Sequence, residues 1–388
     1  MKTNKWIFLI LVSSVLISCG GTSEEELIGD WQKRAVLPWV GRSHATAFVI
    51  GNKGYVIGGH NNTNALRRDV YVFDHTVGEG SDEQGAWKPL NPLPGYIPAR
   101  FQAVGFSLNH NGKAKGYMGT GKGFLGTDDV RTLHDFWAYD PELDSWSEVA
   151  SLPKEAARQG AFAFSLSVDG RGELGYVGCG FTGDPDNAYI TDLWEFDPEG
   201  TTDGLPGKWT QLISRVGKKT GGVAFVIDNK AYICNGENPG LVNDFWVFDP
   251  NNKGNEWQRR RSMDNVNPDE DYDDDYGDLK RSFGVAYVAR VNEKGGKLRG
   301  HIVGGKAGKS YTNWEYNHDP LNEDGDLWVQ RTSFFNRNSQ QTREGMISFS
   351  FPETGRAYVG LGKGGTALYD DLWEFKPLLD DYTYDDYQ

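Results

Sequence analysis

The stretch Asp244–Pro250 reads DFWVFDP, and the chain repeats the phrase. Copies stand at Asp69 (DVYVFDH), Asp135 (DFWAYDP), Asp192 (DLWEFDP) and Asp371 (DLWEFKP), with a degraded copy at Thr312 (TNWEYNH). Each is a short aromatic run that ends in a turn, the signature of a β-strand. A second pattern runs in phase with the first. A cation, two residues, a small residue, one more, another small residue and then an aromatic recur as RSHATAF, RFQAVGF, RQGAFAF, KTGGVAF, RSFGVAY and REGMISF, with Met in the last copy departing from the small-residue rule. These begin at Arg42, Arg100, Arg158, Lys219, Arg281 and Arg343, spaced 58, 58, 61, 62 and 62 residues apart.

Between the two patterns lies a glycine-rich strand end: GYVIGG, GYMGTG, GYVGCG, AYICNG, GHIVGG and AYVGLG. After the aromatic strand comes a Trp, at Trp87, Trp146, Trp209, Trp257 and Trp328. Four short strands per unit in six units describe sheets arranged as blades around an axis. Small residues suit the innermost strand, where the blades converge, and aromatics suit outer strands that bury both faces. The sixth unit has no Trp strand after DLWEFKP. Gly29-Asp30-Trp31-Gln32-Lys33 at the amino terminus matches the missing piece, so the first strand is expected to complete the last blade and remove an open edge. These residues and their spacing resemble the kelch-repeat β-propellers, here with six blades over residues 28–377. The central domain of the galactose oxidase family is similar in architecture. The expected fold is all-β.

In such a ring, the start of the first strand and the end of the second open on one face. Two sets of side chains are therefore expected around the mouth of the central channel. The first is Arg42, Arg100, Arg158, Lys219, Arg281 and Arg343. The second, one residue past the final Gly, is His60, Lys122, Phe181, Glu237, Lys306 and Lys363. So many cations in a chain of net charge −14 suggest a funnel for an anionic ligand, gripped best by Arg. The alternative is that each Arg pairs with the Asp that opens an aromatic strand.

Asn235-Gly236-Glu237, with Pro239-Gly240-Leu241, resembles a segment of the sialic acid mutarotases, themselves six-bladed kelch proteins. That resemblance implies Glu237 as catalytic base, with His60 or a rim Lys returning the proton. Two readings stand: a non-catalytic module that binds a glycan or protein ligand, and a mutarotase or epimerase of an acidic sugar. A copper radical oxidase is the weakest reading, kept as a foil, because its family draws on two Tyr, two His and a cross-linked Cys, and the seven His here are scattered with no close pair. No metal-ligand spacing and no cofactor-binding motif is found.

The amino terminus carries Lys2 and Lys5, then the apolar run Trp6–Ile17, too short to span a bilayer. It ends in Leu16-Ile17-Ser18-Cys19, which resembles the lipobox of bacterial lipoproteins. That implies a signal peptide over 1–18, a lipid on Cys19 and a polar tether over 19–27. Two acyl chains would anchor stably, at about 0.8 kcal/mol per buried CH₂. The expected place is an outer membrane, facing outward, with the periplasmic side as the alternative. The lipid would be the sole membrane contact, nucleic acid is not an expected partner given the charge, and the propeller is expected to be monomeric. Cys179 and Cys234 are read as small buried thiols, with a disulfide as the lesser option. The acidic run 267–278 is read as a solvated loop near the cationic mouth, with a loose calcium site as the alternative, and 378–388 as a disordered acidic tail.

Overall fold

In the computed structural model the described residues are 27–38, 40–61, 65–78, 84–124, 130–264, 276–291, 296–306, 309–318, 327–334 and 342–378. Cys19, the leader, the tether, most of the acidic run and nearly all of the tail lie outside them. Among the described residues there are six four-stranded antiparallel sheets. In the first, Thr46–Ile50, Lys53–Ile57, Val70–Asp74 and Ala86–Leu90 follow in chain order. The sixth breaks that order as expected. Ile347–Phe351, Arg356–Gly360 and Leu372–Lys376 are completed by Asp30–Lys33, with Trp31 opposite Phe375.

The aromatic phrases lie in the third strands, and six apolar clusters fill the six gaps between neighbouring sheets. The gap between the fifth and sixth sheets is filled in part by the buried Trp31, Tyr287, Trp373 and Phe375. Trp31 also donates its indole N–H to the Thr332 carbonyl at 3.0 Å. Outer-strand Trp residues repeat that latch: Trp87 to Ala35, Trp209 to Ala150 and Trp257 to Ile213. The inner aromatic of one unit presses on the second strand of the next. At Gly116 an added Cβ would lie 2.1 Å from the Phe48 ring, so the Gly before the Tyr is a packing requirement.

Backbone hydrogen bonds close the ring at its axis. His44 donates to Gly345, Gly345 to Phe283, Phe283 to Gly221, Gly221 to Gly160, Gly160 to Gln102, and Gln102 back to His44, at 2.8–3.0 Å. All six residues have positive φ, between 52° and 64°. A second circle surrounds the first. The last Gly of each glycine-rich strand end donates to the carbonyl of the next unit's buried cation, from Gly59 to Arg100 around to Gly362 to Arg42. Loop-like backbone is thereby satisfied where no sheet ladder reaches it.

Candidate functional site

The first cation set is not a rim. Arg42, Arg100, Arg158, Lys219, Arg281 and Arg343 are all at most 1% exposed. Arg100 forks onto Asp135 at 2.9 and 2.5 Å, Arg42 onto Asp69 at 3.0 and 2.7 Å, and Arg158 onto Asp192 at 2.5 and 2.8 Å. Arg343 bonds Asp371. Lys219 takes one oxygen of Asp244, and the Gly217 N–H takes the other at 2.9 Å. The expectation that these six grip a ligand is therefore corrected. A buried cation calls for a counter-charge, and in five of the six units the Asp that opens the aromatic strand supplies it.

The Trp two residues after that Asp completes the unit. Trp137, Trp194 and Trp373 donate to Asp135, Asp192 and Asp371 at 2.6, 2.6 and 2.9 Å. Burial pushes the Asp135 carboxyl up, but the Arg100 charge and hydrogen bond outweigh it and hold it below the usual carboxylate range. The recurring phrase is thus a charge-neutralising device as well as a strand.

The second set does surround the mouth. Each member pairs through backbone with the residue after a buried cation: His60 with Ser43, Lys122 with Phe101, Phe181 with Gln159, Glu237 with Thr220, Lys306 with Ser282 and Lys363 with Glu344. Their side chains reach toward the next unit. Ser282 Oγ donates to Glu237 Oε2 at 2.6 Å, Lys306 Nζ lies 3.6 Å from Glu344, and the His60 ring meets Phe101 edge-on at 5.1 Å. Lys306 is exposed and its Nζ lies 4.4 Å from the centre of the Phe283 ring. Lys122, Lys363, Glu237 and His60 are half-buried. His60 and Glu237 belong to units three apart in a ring of six, so they stand on opposite sides of the axis.

Beneath this mouth lies an axial cavity of about 120 Å³, lined by two residues from every unit. Sequence reasoning missed its most distinctive member, His44. In chain order His44 and His60 are 16 residues apart. In the fold their rings stack, 5.4 Å apart with planes at 24°, so the expectation of no close His pair is corrected. Burial lowers the His44 pKa to about 3, reinforced by charge at His60, Lys306 and Lys363. Burial also lowers that of His60, with the Asn61 carbonyl and Glu344 opposing and Lys363 adding. A readable signal existed. At the position two past the cation, three units carry Gly and the others carry His44, Gln102 and Phe283.

Cys179 and Cys234 are buried free thiols, each pushed up to about 12 by burial. At the described end of the acidic run, Asp278 pairs with Lys309 at 3.2 Å. Among the described residues no group of three or more His, Cys, Asp or Glu is placed to hold a metal, and no helix is long and apolar enough to cross a membrane.

The Kelch motif family model matches residues 41–94 and 126–153. Among curated proteins none matches. Among solved structures, that of YjhT is similar, with 15% identity, 87% of this chain and 96% of that chain covered, and a TM-score of 0.57. At that identity the likeness concerns the fold alone. Repeats, sheet order and both matches agree that this chain is a kelch-repeat β-propeller.

Proposed function

We propose that the propeller is a non-catalytic receptor for an acidic glycan, which docks on the axial mouth. One observation carries this reading. Four of the six homologous mouth positions hold Lys122, Lys306, Lys363 and His60, while the larger set of cations is buried and, apart from Arg281, paired with an Asp. Phe101, Phe181 and Phe283 stand half-buried beside them and offer faces to the C–H side of a sugar ring. Ammonium groups give a carboxylate a charge-assisted partner without fixing one geometry. In this reading a lipid on Cys19 holds the protein on an outer membrane, facing outward, and the propeller acts as a monomer without nucleic acid.

The test is a glycan screen at low and physiological salt. Acidic glycans are expected to bind, more weakly at high salt. The triple change Lys122→Ala, Lys306→Ala, Lys363→Ala should weaken binding by about a thousandfold, roughly one tenfold step per charge removed. Binding that ignores salt and survives the triple change removes the reading.

A second reading, a mutarotase of an acidic sugar, draws on the Glu237 carboxylate held by Ser282 on the rim. Its measure is NMR of anomer exchange in freshly dissolved sialic acid. Equal rates with the parent protein and with Glu237→Gln would end it.

A further inference from the structure

His44 carries two local penalties that three sister units avoid. Its φ is 54°, where Gly160, Gly221 and Gly345 hold the same place without strain. A non-Gly residue there is strained. Both ring nitrogens are shielded from solvent and have no hydrogen-bond partner among the described residues. A buried polar group left unmatched adds a desolvation penalty. The ring lines the axial cavity and packs on Gly345, whose added Cβ would lie 2.5 Å from His44 Nδ1. Nothing in the fold requires an imidazole here, since Gly serves three times.

The neighbours show what the imidazole is suited to meet. His60 stacks on it. Lys306 and Lys363 lie close enough to act on its charge, and Glu344, which acts on His60, is drawn to Lys306. These come from the first, fifth and sixth units, so one half of the mouth sets two lysines against one carboxylate. Phe283 and Phe101 complete the wall and carry no charge. A cavity of about 120 Å³ is well below the range of about 300–1,000 Å³ that encloses a drug-sized ligand. It admits a single small group.

We propose that His44, with His60, Lys306 and Lys363, forms an oxyanion subsite at the axis, and that the anion enters together with a proton on the imidazole. The subsite rests on the acidic-glycan reading for its natural occupant, a sugar carboxylate, while a free inorganic oxyanion shares the same chemistry. An anion beside His44 favours the imidazolium, so binding raises the His44 midpoint. By linkage, affinity then rises as pH falls.

Glucuronate and sulfate are the two probes, since both stay ionised between pH 5 and pH 8. Calorimetry at both pH values and NMR titration of the His44 ring measure the linkage. The expected result is affinity about tenfold higher at pH 5 than at pH 8, which from a free midpoint of about 3 corresponds to a bound midpoint raised to about 6. His44→Gly is the matched variant, because the sister units show that Gly fits; it should fold and lose the pH dependence. Unchanged linkage in His44→Gly, or a His44 midpoint unmoved by both probes, overturns the subsite. Sulfate linkage without glucuronate binding keeps the subsite and removes the glycan. Glucuronate binding with no pH dependence keeps the glycan and removes the subsite.

Discussion

In the second unit the buried Arg100 faces a carboxylate, Asp135; in the fifth, the equally buried Arg281 faces a hydroxyl, Thr312. The fifth unit compensates with neutral oxygens. Arg281 donates to the carbonyls of Asp278, Leu279, Ser310 and Thr312, at 2.8–3.3 Å, as well as to Thr312 Oγ1 at 3.0 Å. Trp314 keeps its role and donates to Thr312 Oγ1 at 2.9 Å. Geometry is preserved while the counter-charge is lost. Burial then lowers the Arg281 pKa to about 10, against opposing charge at Cys234 and Asp278. The comparison teaches that the repeat demands donors and acceptors at fixed places, and that full neutralisation is a separate gain.

The largest expected effect comes from turning a regular unit into something poorer than the fifth. Asp135→Asn removes the charge facing Arg100 without the carbonyl cage that Arg281 enjoys. Losing one partner of a buried pair costs about 3–5 kcal/mol. The lower end applies here, because the Asp135 side chain is 20% exposed. Chemical unfolding of the variant measures it. A change below about 1 kcal/mol, the worth of an exposed pair, would mean that the pairs are ornamental.

The fifth unit differs at a second place, which gives it a pH sensitivity. Where the other units have Tyr55, Tyr117, Tyr176, Tyr232 and Tyr358, it has His301. His301 is fully buried, stacked on Tyr287 at 4.7 Å, with Nε2 3.6 Å from Glu315. Burial lowers its pKa to about 4, partly offset by Glu315. A folded value below the unfolded one means that the unfolded chain takes up the proton first as pH falls. Stability from this group is therefore complete above about pH 6.5 and is lost as pH falls through about 4. Glu315 is also held low: burial raises it, but His301 and Arg331 outweigh that, so its contribution disappears on the same acid side. The loss from His301 is bounded at roughly 3 kcal/mol. In the third unit Tyr176 donates to Glu195, the counterpart of Glu315, at 3.0 Å. His301→Tyr should therefore flatten the stability profile between pH 7 and pH 4. An equally steep profile in the variant would assign the acid sensitivity elsewhere.

Periodicity explains what was legible in the sequence. The strand phrase, the ring closed by Trp31 and the mouth set from His60 to Lys363 recur at fixed phase, and one copy can be checked against another. The depth of Arg42, Arg100 and Arg158 was not legible. The pairing with the Asp 27 to 35 residues later could be read as an alternative, but a residue's letter gives its charge and not its burial, and the fold decides between the two readings. The His44–His60 stack was hidden for a similar reason, since it needs both the turn and the inner ring. Its trace was nonetheless present, as a large residue in a column where half the copies are Gly.

The smallest expected effect runs in the stabilising direction. Thr312→Asp would give the fifth unit the carboxylate of its sisters, with Arg281 and Trp314 already aimed at the position. A hydrogen bond to a charged group contributes about 1.5–3 kcal/mol. Against that stand the desolvation of the new carboxylate and the Lys309 carbonyl, which now accepts from Thr312 Oγ1 at 2.8 Å and would face an acceptor instead. The net gain is about 1 kcal/mol after these opposing terms, read as a higher denaturant midpoint with an unchanged slope. Parent-like or lower stability would show that the carbonyl cage around Arg281 is a complete substitute for charge. The degraded phrase TNWEYNH would then be an equal solution, and the Asp of the other units would owe its place to the guanidinium fork alone.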